Sequence, residues 1–359
     1  MRVALLISGG VDSTVALRLL CEKGYDVSAF YLKIWLEDEV SFLGECPWEN
    51  DLQYVRAVCA QANVPLEVIS MQQEYWERVV GYTIAEVKAG RTPNPDMLCN
   101  SEIKFGAFYD LVGKSFDAVA TGHYAQMICC NEVPYLCLSA DKHKDQTYFL
   151  ARVHRNVLAH MMFPIGHLTK EQVRIFARLY GVPNAERKDS QGICFLGNIN
   201  YDDFIRHHVG TRTGDLVEWE TKKIMGEHQG FWFYTRGQRH GIRLSGGPWY
   251  VVSKDVETNT VYVSRDYAQL GAMRKAFTME RVALLIDQDF FQEVLLQDVL
   301  VKIRHGEHMH KARVCPSLRG IADSYDVVLD MHDQGIAPGQ FAVLYYKGIC
   351  LGGGIISES

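Results

Sequence analysis

The first part of the chain alternates short apolar runs with stretches in which apolar residues recur at helical spacing. "RVALLIS" is a continuous apolar run that ends in a glycine turn, which predicts a strand buried on both faces. "YDVSAFYLKIW", "VPLEVIS" and "FDAVATG" predict further strands, and residues 51–62 and 74–89 predict helices between them. This alternation predicts an α/β domain with a doubly wound parallel sheet, whose ligand lies beyond the carboxyl ends of the strands.

The pattern changes near residue 200. Segments such as "GDLVEW" and "PWYVVSKDVETNTVYVSRD" are short, rich in β-formers and divided by glycines, and from about residue 275 further apolar strands are joined by turns. We therefore predict three domains. The α/β domain spans residues 1–199, a small β-rich central domain spans 200–272, and a C-terminal β-barrel-like domain spans 273–359.

Composition narrows the class of protein. The chain has 359 residues, 48% of them hydrophobic, and a net charge of −6, so it does not resemble a uniformly basic nucleic-acid binder. A nucleic-acid partner would need a local basic face, for which "YTRGQRHGIR" is the best candidate. No apolar run is long enough to cross a bilayer, and the ten scattered cysteines include no CxxC pair. We expect a cytoplasmic protein with reduced thiols and no membrane partner.

The first candidate for chemistry is "SGGVDS", residues 8–13, between the first strand and the first helix. A glycine turn at a helix start directs backbone N–H groups at an anion, and the glycines let the backbone approach it closely. Either Asp12 or Ser13 is able to cap the helix. No Gly-Lys-Ser/Thr ending is present, so this is not a loop that transfers a terminal phosphate. The alternative is a tight turn without a ligand.

Two cysteines stand out by their surroundings. If Asp96 starts a helix, Asp96 and Cys99 fall on one helical face, where helix-start amides lower the pKa of a thiol and an adjacent carboxylate raises it. The alternative is that Asp96 is only an N-cap and Cys99 a small buried hydrophobe. Cys194, in "DSQGICF", follows a glycine that allows a sharp turn, but a buried apolar cysteine is the commoner fate.

"RHGEHMH" suggests a metal, because His308 and His310 alternate and both face one side of a strand. No Asp, Cys or further spaced pair completes a site. We therefore favour solvated side chains of a barrel strand over zinc, and we predict no metal site in the protein itself.

A series of motifs along the whole chain resembles one enzyme family. "SGGVDS" after an N-terminal strand resembles the pyrophosphate loop of ATP-dependent adenylating enzymes. "AGRTPNPDMLCNSEIKF", "ATGHYA", "KDQTYFL", "KDSQGICFLG", "GEHQG", "GQRHG", "PWYVV" and "CLGGGII" follow in the order found in tRNA-specific 2-thiouridylases. The series runs from residue 6 to residue 356, so the resemblance covers the chain.

The resemblance implies a role for each motif. Cys99 would be the nucleophile, Cys194 the residue that carries a persulfide, and Asp96 an acid or base. The residues implied to bind ATP are Leu6, Ile7, Ser8, Gly9, Gly10, Val11, Asp12, Ser13, Leu32 and Gly122. The residues implied to bind tRNA are Asn94, Pro95, Asp96, Lys144, Asp145, Gln146, Arg304 and His305. Leu32 and His305 stand where the family usually has Met and Tyr.

The implied reaction is the ATP-dependent 2-thiolation of uridine 34 in tRNAs for Lys, Glu and Gln. AMP is placed on the C2 oxygen, and sulfur from the Cys194 persulfide then replaces it, with Mg²⁺ expected alongside ATP. The partners would be the tRNA anticodon arm and a persulfide-carrying sulfur donor or relay protein. One alternative is a small-molecule adenylating synthetase of the pyrophosphate-loop group. Another is a non-catalytic nucleotide- or RNA-binding adaptor, for which the paired thiols would have no use.

Overall fold

The first apolar run forms the middle strand of a parallel sheet. The computed structural model of the protein describes residues 1–34, 48–188, 200–266, 274–333 and 335–357. The strands before residue 200 are β1 (Arg2–Leu6), β2 (Asp26–Lys33), β3 (Leu66–Ser70), β4 (Ala118–Thr121), β5 (Gln126–Cys130), β6 (Val133–Cys137) and β7 (Met161–Met162). Five of them form a parallel sheet in the order β3-β2-β1-β4-β7. The order reverses between β1 and β4, so the ligand crevice of a doubly wound sheet lies at their carboxyl ends. The predicted sheet is confirmed.

Helices cover both faces of this sheet. They are α1 (Val11–Glu22), α2 (Trp48–Ala62), α3 (residues 72–88), α4 (residues 95–111), α5 (Thr147–Leu150) and α6 (Lys170–Leu179). Two of them contain π-helical turns in the middle, at Trp76–Val80 in α3 and at Cys99–Ala107 in α4. Within the described residues, no helix is long and apolar enough to span a membrane.

Side chains of β1 alternate between two hydrophobic cores. Val3 and Leu5 pack in the core formed with α1 and α2, whereas Ala4 and Leu6 pack in the core that contains Cys99 of α4. Successive side chains of a strand point to opposite faces, so this division follows from the period of two. The loop after β1 therefore lies at the edge shared by both layers.

The central domain consists of one helix followed by a small four-stranded sheet. Helix α7 (Tyr201–Val209) leads into β8 (Gly214–Glu218), β9 (Ile224–His228), β10 (Tyr250–Asp255) and β11 (Thr260–Ser264). The sheet has the order β10-β11-β8-β9, and buried aromatic and aliphatic residues such as Phe231 and Trp249 fill its core. This matches the predicted β-rich unit.

The last part of the chain closes into a barrel. Its strands are β12 (Ala276–Leu284), β13 (Val299–Lys302), β14 (His310–Pro316), β15 (Tyr325–Leu329), β16 (Phe341–Tyr346) and β17 (Ile349–Ser357), with helix α8 (Gln288–Leu295) between β12 and β13. The order is β12-β15-β14-β13-β16-β17, and β12 also pairs with β17, so the six strands form a closed ring. The β5–β6 hairpin of the first domain adds to β17. The predicted barrel is confirmed.

A buried ion pair joins the barrel to the first domain. Lys302 of β13 donates to the carboxylate of Asp145 over 2.8 Å, and both side chains are at most 4% exposed. The same carboxylate accepts from the backbone N–H of Ser139 and from the hydroxyl of Thr147, whose hydroxyl also lies 3.1 Å from that of Tyr345. The charge is therefore compensated by several donors, as burial requires.

We expect the Lys302→Met substitution to destabilise the protein, because it leaves the Asp145 carboxylate buried without its cation. Loss of one partner of a buried pair costs about 3–5 kcal/mol of unfolding free energy. The double variant Lys302→Met/Asp145→Asn should recover most of this loss. Urea unfolding followed by circular dichroism measures both, with Lys311→Met on exposed β14 as the control. A single variant no less stable than this control would show that the pair does not hold the domains together.

Candidate active site

The loop between β1 and α1 has the geometry of an anion site. Gly9 adopts a φ of 77°, which side-chain-bearing residues rarely adopt. Gly10 is the N-cap of α1 and provides no side-chain cap, so the expectation that Asp12 or Ser13 caps this helix is wrong. Ser13 instead donates its hydroxyl hydrogen to the Gly10 carbonyl over 3.0 Å. Among the described residues no side chain caps the first turn of α1, so its N–H groups suit a ligand such as phosphate oxygens.

The apolar residues predicted to contact ATP line the two cores beside this loop. Ile7 and Val11 are buried on the α1 side of the sheet, and Leu6 is buried on the other side. Leu32, at the end of β2, is partly buried and packs against the same core as Leu6. These side chains shape the crevice at the carboxyl ends of the two strands.

Asp12 is held by two residues that are distant in sequence. Its carboxylate accepts a hydrogen bond from the Tyr124 hydroxyl at 2.9 Å. The Lys170 ammonium donates to both carboxylate oxygens, at 2.7 and 2.9 Å. The side chains of Lys170 and Asp12 are 16% and 31% exposed, so the pair is partly shielded from solvent. Local sequence does not reveal this pair, since Lys170 is simply the first residue of a helix that begins with a capping box at Thr169.

The carbonyl of Gly9 is held from the other side. It accepts from the amide of Asn184 at 2.9 Å and from the guanidinium of Arg187 at 3.1 Å. Arg187 also forms an ion pair with Asp51 of α2 and stacks over the Tyr54 ring. Sequence reasoning missed these residues because neither lies in a recognisable motif. Asn184 and Arg187 together hold Gly9 in its left-handed conformation and thereby set the course of the β1–α1 loop.

Gly122 lets the end of β4 pass against the β1–α1 loop. A Cβ at this position would lie 2.6 Å from the backbone nitrogen and 2.8 Å from the Cα of Ser13. His123 follows and is half-buried, and its Nδ1 lies 2.7 Å from the Thr121 hydroxyl. Burial, assisted by the nearby Lys104 charge, holds the pKa of His123 well below its ordinary value. The β4 end is therefore packed against the loop and carries a neutral imidazole.

Helix α4 presents Cys99 at the point where the helix changes type. Asn94 is its N-cap and accepts from the Met97 N–H at 3.2 Å, and Pro95 occupies the first turn. The alternative in which Asp96 serves as the cap is therefore wrong. Cys99 is 1% exposed and begins the π-helical stretch Cys99–Ala107. Such wide turns are rare and occur frequently at functional sites.

A chain of polar contacts runs from α4 to the barrel. Lys104 donates to the Asn100 side-chain oxygen at 2.9 Å, and the Asn100 amide donates to the Phe149 carbonyl at 3.2 Å. The Phe149 ring stacks on His305 with centroids 4.7 Å apart, and His305 Nε2 lies 3.2 Å from the Asp145 carbonyl oxygen. Partial burial lowers the pKa of His305. The barrel thus contacts the residues that surround the Cys99 helix.

The residues predicted to contact tRNA differ in their surroundings. The Asp145 carboxylate is buried against Lys302, and the Gln146 side-chain oxygen accepts from the Tyr124 N–H at 3.0 Å. Lys144 is partly exposed, and its backbone N–H donates to Asp141 at 3.1 Å. The tRNA contacts of these residues stay predictions. In this structure the side chains of Asp145 and Gln146 hold the loop between β6 and α5 in place.

An acidic residue does join His308 and His310, contrary to the sequence expectation. Asp333 lies 23 residues beyond His310, and the ligand atoms of the three lie within 4.8 Å of one another. Its carboxylate accepts from Arg304 through two bonds at 2.9 and 3.1 Å, from His310 at 2.9 Å, and from the Gly335 N–H at 2.6 Å. The predicted RNA-contacting Arg304 is therefore half-exposed and anchored by a carboxylate, which orients its guanidinium.

The second predicted catalytic thiol, Cys194, lies outside the described residues. Its approach to Cys99 stays a prediction. Within the described ranges the free cysteines are Cys21, Cys59, Cys99, Cys129, Cys130, Cys137, Cys315 and Cys350. Burial raises the pKa of Cys59 and Cys137 to about 11, so these thiols are inert packing residues.

Comparisons with known proteins match the whole chain. Family models described as "tRNA methyl transferase HUP domain", "tRNA methyl transferase PRC-barrel domain" and "Aminomethyltransferase beta-barrel domain" match residues 1–198, 202–265 and 275–356. The tRNA-specific 2-thiouridylase MnmA of Parabacteroides distasonis is 44% identical over 360 residues, which cover 100% of this chain and 99% of the relative. The enzyme named tRNA-specific 2-thiouridylase MnmA 1 of Bacteroides thetaiotaomicron is also 44% identical, with 100% of both chains covered.

We expect Gly122→Ala to displace the β1–α1 loop, because the added methyl group would collide with the Ser13 backbone. Overpacking of this kind costs about 1–3 kcal/mol, and the affinity for ATP, the ligand implied for this loop, should fall with it. The control is Gly81→Ala, where the Cβ would lie 3.4 Å from its nearest neighbour within a helix. Calorimetric titration with ATP and thermal unfolding measure both effects. Unchanged affinity and stability in Gly122→Ala would contradict the assigned packing.

Proposed function

The chain belongs to the family of tRNA-specific 2-thiouridylases, and from this premise we propose that it catalyses the ATP-dependent 2-thiolation of uridine 34 in tRNAs for Lys, Glu and Gln. The observation that carries the proposal is the match to curated 2-thiouridylases at 44% identity over the full length of both chains. The enzyme is a sulfurtransferase that modifies tRNA. We further propose that it acts in the cytoplasm, where its thiols stay reduced.

The nucleotide half of the reaction belongs to the β1–α1 loop. The uncapped first turn of α1 and the left-handed Gly9 provide backbone N–H donors for the phosphates of ATP. Asp12 is the carboxylate closest to these donors in sequence, and its oxygens suit Mg²⁺, which would neutralise phosphate charge. Lys170, paired with Asp12, adds a cation at the same place. AMP transfer activates the C2 oxygen of uridine, which otherwise leaves poorly.

The sulfur half of the reaction belongs to Cys99 and Cys194. Cys194 receives a persulfide sulfur from a separate donor or relay protein. In one route the Cys99 thiolate attacks the Cys194 sulfur and releases hydrosulfide, which displaces AMP from C2. In the other route the terminal sulfur attacks C2 with loss of AMP, and Cys99 then attacks Cys194 and frees the thiolated base. Both routes leave a Cys99–Cys194 disulfide, which a thiol reductant returns to two thiols.

The target base must reach a thiol that is 1% exposed in the structure. An anticodon-loop uridine leaves its stack at low cost because the loop is single-stranded. Asn94 and Asp96 at the start of α4 are proposed to read the base, and Asp96 is the candidate acid or base. Lys144, Arg304 and His305 are proposed to hold the anticodon arm, since they lie on the β6–α5 loop and the barrel segment that face the Cys99 helix.

We expect Cys99→Ser and Cys194→Ser each to abolish 2-thiouridine formation, with a loss of at least ~10³-fold, because a hydroxyl neither carries persulfide sulfur nor attacks it. The control is Cys129→Ser, which removes an exposed thiol at the tip of the β5–β6 hairpin. The assay is mass spectrometry of nucleosides from tRNA incubated with ATP, Mg²⁺ and a persulfide donor. Full activity in either of the first two variants would refute the thiol mechanism.

Activation should be separable from sulfur transfer. We expect Cys99→Ser to release pyrophosphate from ATP in the presence of tRNA, because AMP transfer uses no thiol. The measurement is pyrophosphate release with substrate tRNA, with tRNA lacking uridine 34, and with small carboxylic acids. Release driven by a small acid without tRNA would favour a small-molecule adenylating synthetase instead.

A further inference from the structure

A narrow basic cavity lies where the three domains meet. The first domain contributes Gly90 and Thr92, the central domain contributes Arg236 and Lys254, and the barrel contributes Pro338. Its volume is about 30 Å³. Since a water needs about 10–15 Å³ on this measure, the cavity has room for about two oxygen-sized atoms. It is too small for a nucleotide or a side chain, but it fits the two unbridged oxygens of one phosphate group.

The segment that contains Gly90 and Thr92 contacts both the central domain and the barrel. A Cβ at Gly90 would lie 2.6 Å from the Val256 side chain of the central domain. The Thr92 N–H donates to the Pro338 carbonyl of the barrel at 2.8 Å, and its hydroxyl lies 3.3 Å from that of Thr235. The walls of the cavity are therefore fixed relative to one another. Thr92 precedes the helix cap Asn94 by two residues, which places the cavity within about 7 Å of chain from the start of α4.

The charge of the cavity is strongly positive for its size. Lys254 donates to the Tyr234 carbonyl at 2.8 Å, and Arg236 lies beside it. None of the described residues that line the cavity is acidic. Burial, followed by repulsion from Arg236, lowers the pKa of Lys254 to about 8. The folded protein thus places two cations side by side in the lining of the cavity.

We propose that this cavity binds one backbone phosphate of the RNA substrate, through Lys254 and Arg236. This inference rests on the proposed function and assigns to the central domain a specific phosphate contact. The net charge of −6 requires that RNA be held by local cationic sites of this kind. A phosphate diester held beside Thr92 ties the RNA strand to the segment that leads directly into the Cys99 helix.

The test is the salt dependence of tRNA binding by the full-length protein. In Lys254→Met, an apolar side chain of similar length replaces the cation, and the slope of log K against log[salt] should become shallower by about 0.7–0.9, the value for one lost phosphate contact. Affinity at low salt should fall about tenfold. Lys254→Arg should keep the slope of the native protein. The matched control is Lys223→Met, which removes an exposed charge from the same domain and should leave slope and affinity unchanged.

A second measurement reports on Lys254 itself. A bound phosphate raises the pKa of this ammonium, so tRNA binding at pH 8 should take up as much as ~0.5 proton in the native protein and less in Lys254→Met. Calorimetry in buffers of different ionisation enthalpy measures this uptake. A separate titration of the protein with inorganic phosphate tests whether the cavity binds a free anion.

The outcomes separate the two proposals. If the native protein thiolates tRNA and Lys254→Met binds it with the same slope and affinity, the cavity proposal is wrong and the proposed function stands. If inorganic phosphate at millimolar concentration stabilises the native protein but not Lys254→Met, while the slope for tRNA is unaltered, the cavity takes free phosphate and the RNA assignment is overturned. If the native protein neither binds nor thiolates tRNA, the proposed function itself fails.

Discussion

The buried pair between Lys302 and Asp145 is the constraint on which the arrangement of the site depends. A carboxylate without a cation would not remain at 4% exposure, so the barrel must stay docked wherever the β6–α5 loop is folded. That loop runs directly into α5, whose Phe149 carbonyl accepts from Asn100, the residue next to Cys99. A contact between two domains thereby positions a helix in the first. The barrel is part of the active site's framework and not an appended module.

A second constraint comes from β1. Its alternate side chains belong to two cores, and the nucleotide loop and the Cys99 helix lie on opposite layers that meet at its carboxyl end. Gly122 allows the neighbouring strand to close against the loop without a side chain between them. The parallel sheet thus brings the β1–α1 turn and the thiol-bearing helix to one edge. In the proposed reaction, the activation of an oxygen and its replacement by sulfur both need this proximity.

Local patterns predicted the elements and the glycine turns well, because a strand run, a helical stripe or a left-handed glycine depends mainly on its own neighbours. The contacts that hold the site could not be predicted in the same way. Asp12 meets Lys170 across 158 residues, and Asp145 meets Lys302 across 157. Asp333 was missed for the same reason, since its position in the segment between β15 and β16 says nothing about the histidines it joins. Pairing across domains is set by topology, which a single sequence does not display.

The contacts of the later domains with the first domain lie close in sequence to the Cys99 helix. Cys99 is buried, and its helix begins a few residues after the segment that the central domain and the barrel hold at Gly90 and Thr92. Under the proposal that the later domains hold the RNA, the RNA would act on the first turn of α4 through rigid contacts, not through a flexible linker. Binding energy from parts of the RNA that do not react would then be used to open and orient the thiol site. Burial of Cys99 before binding also shields its thiol from oxidation in the absence of substrate.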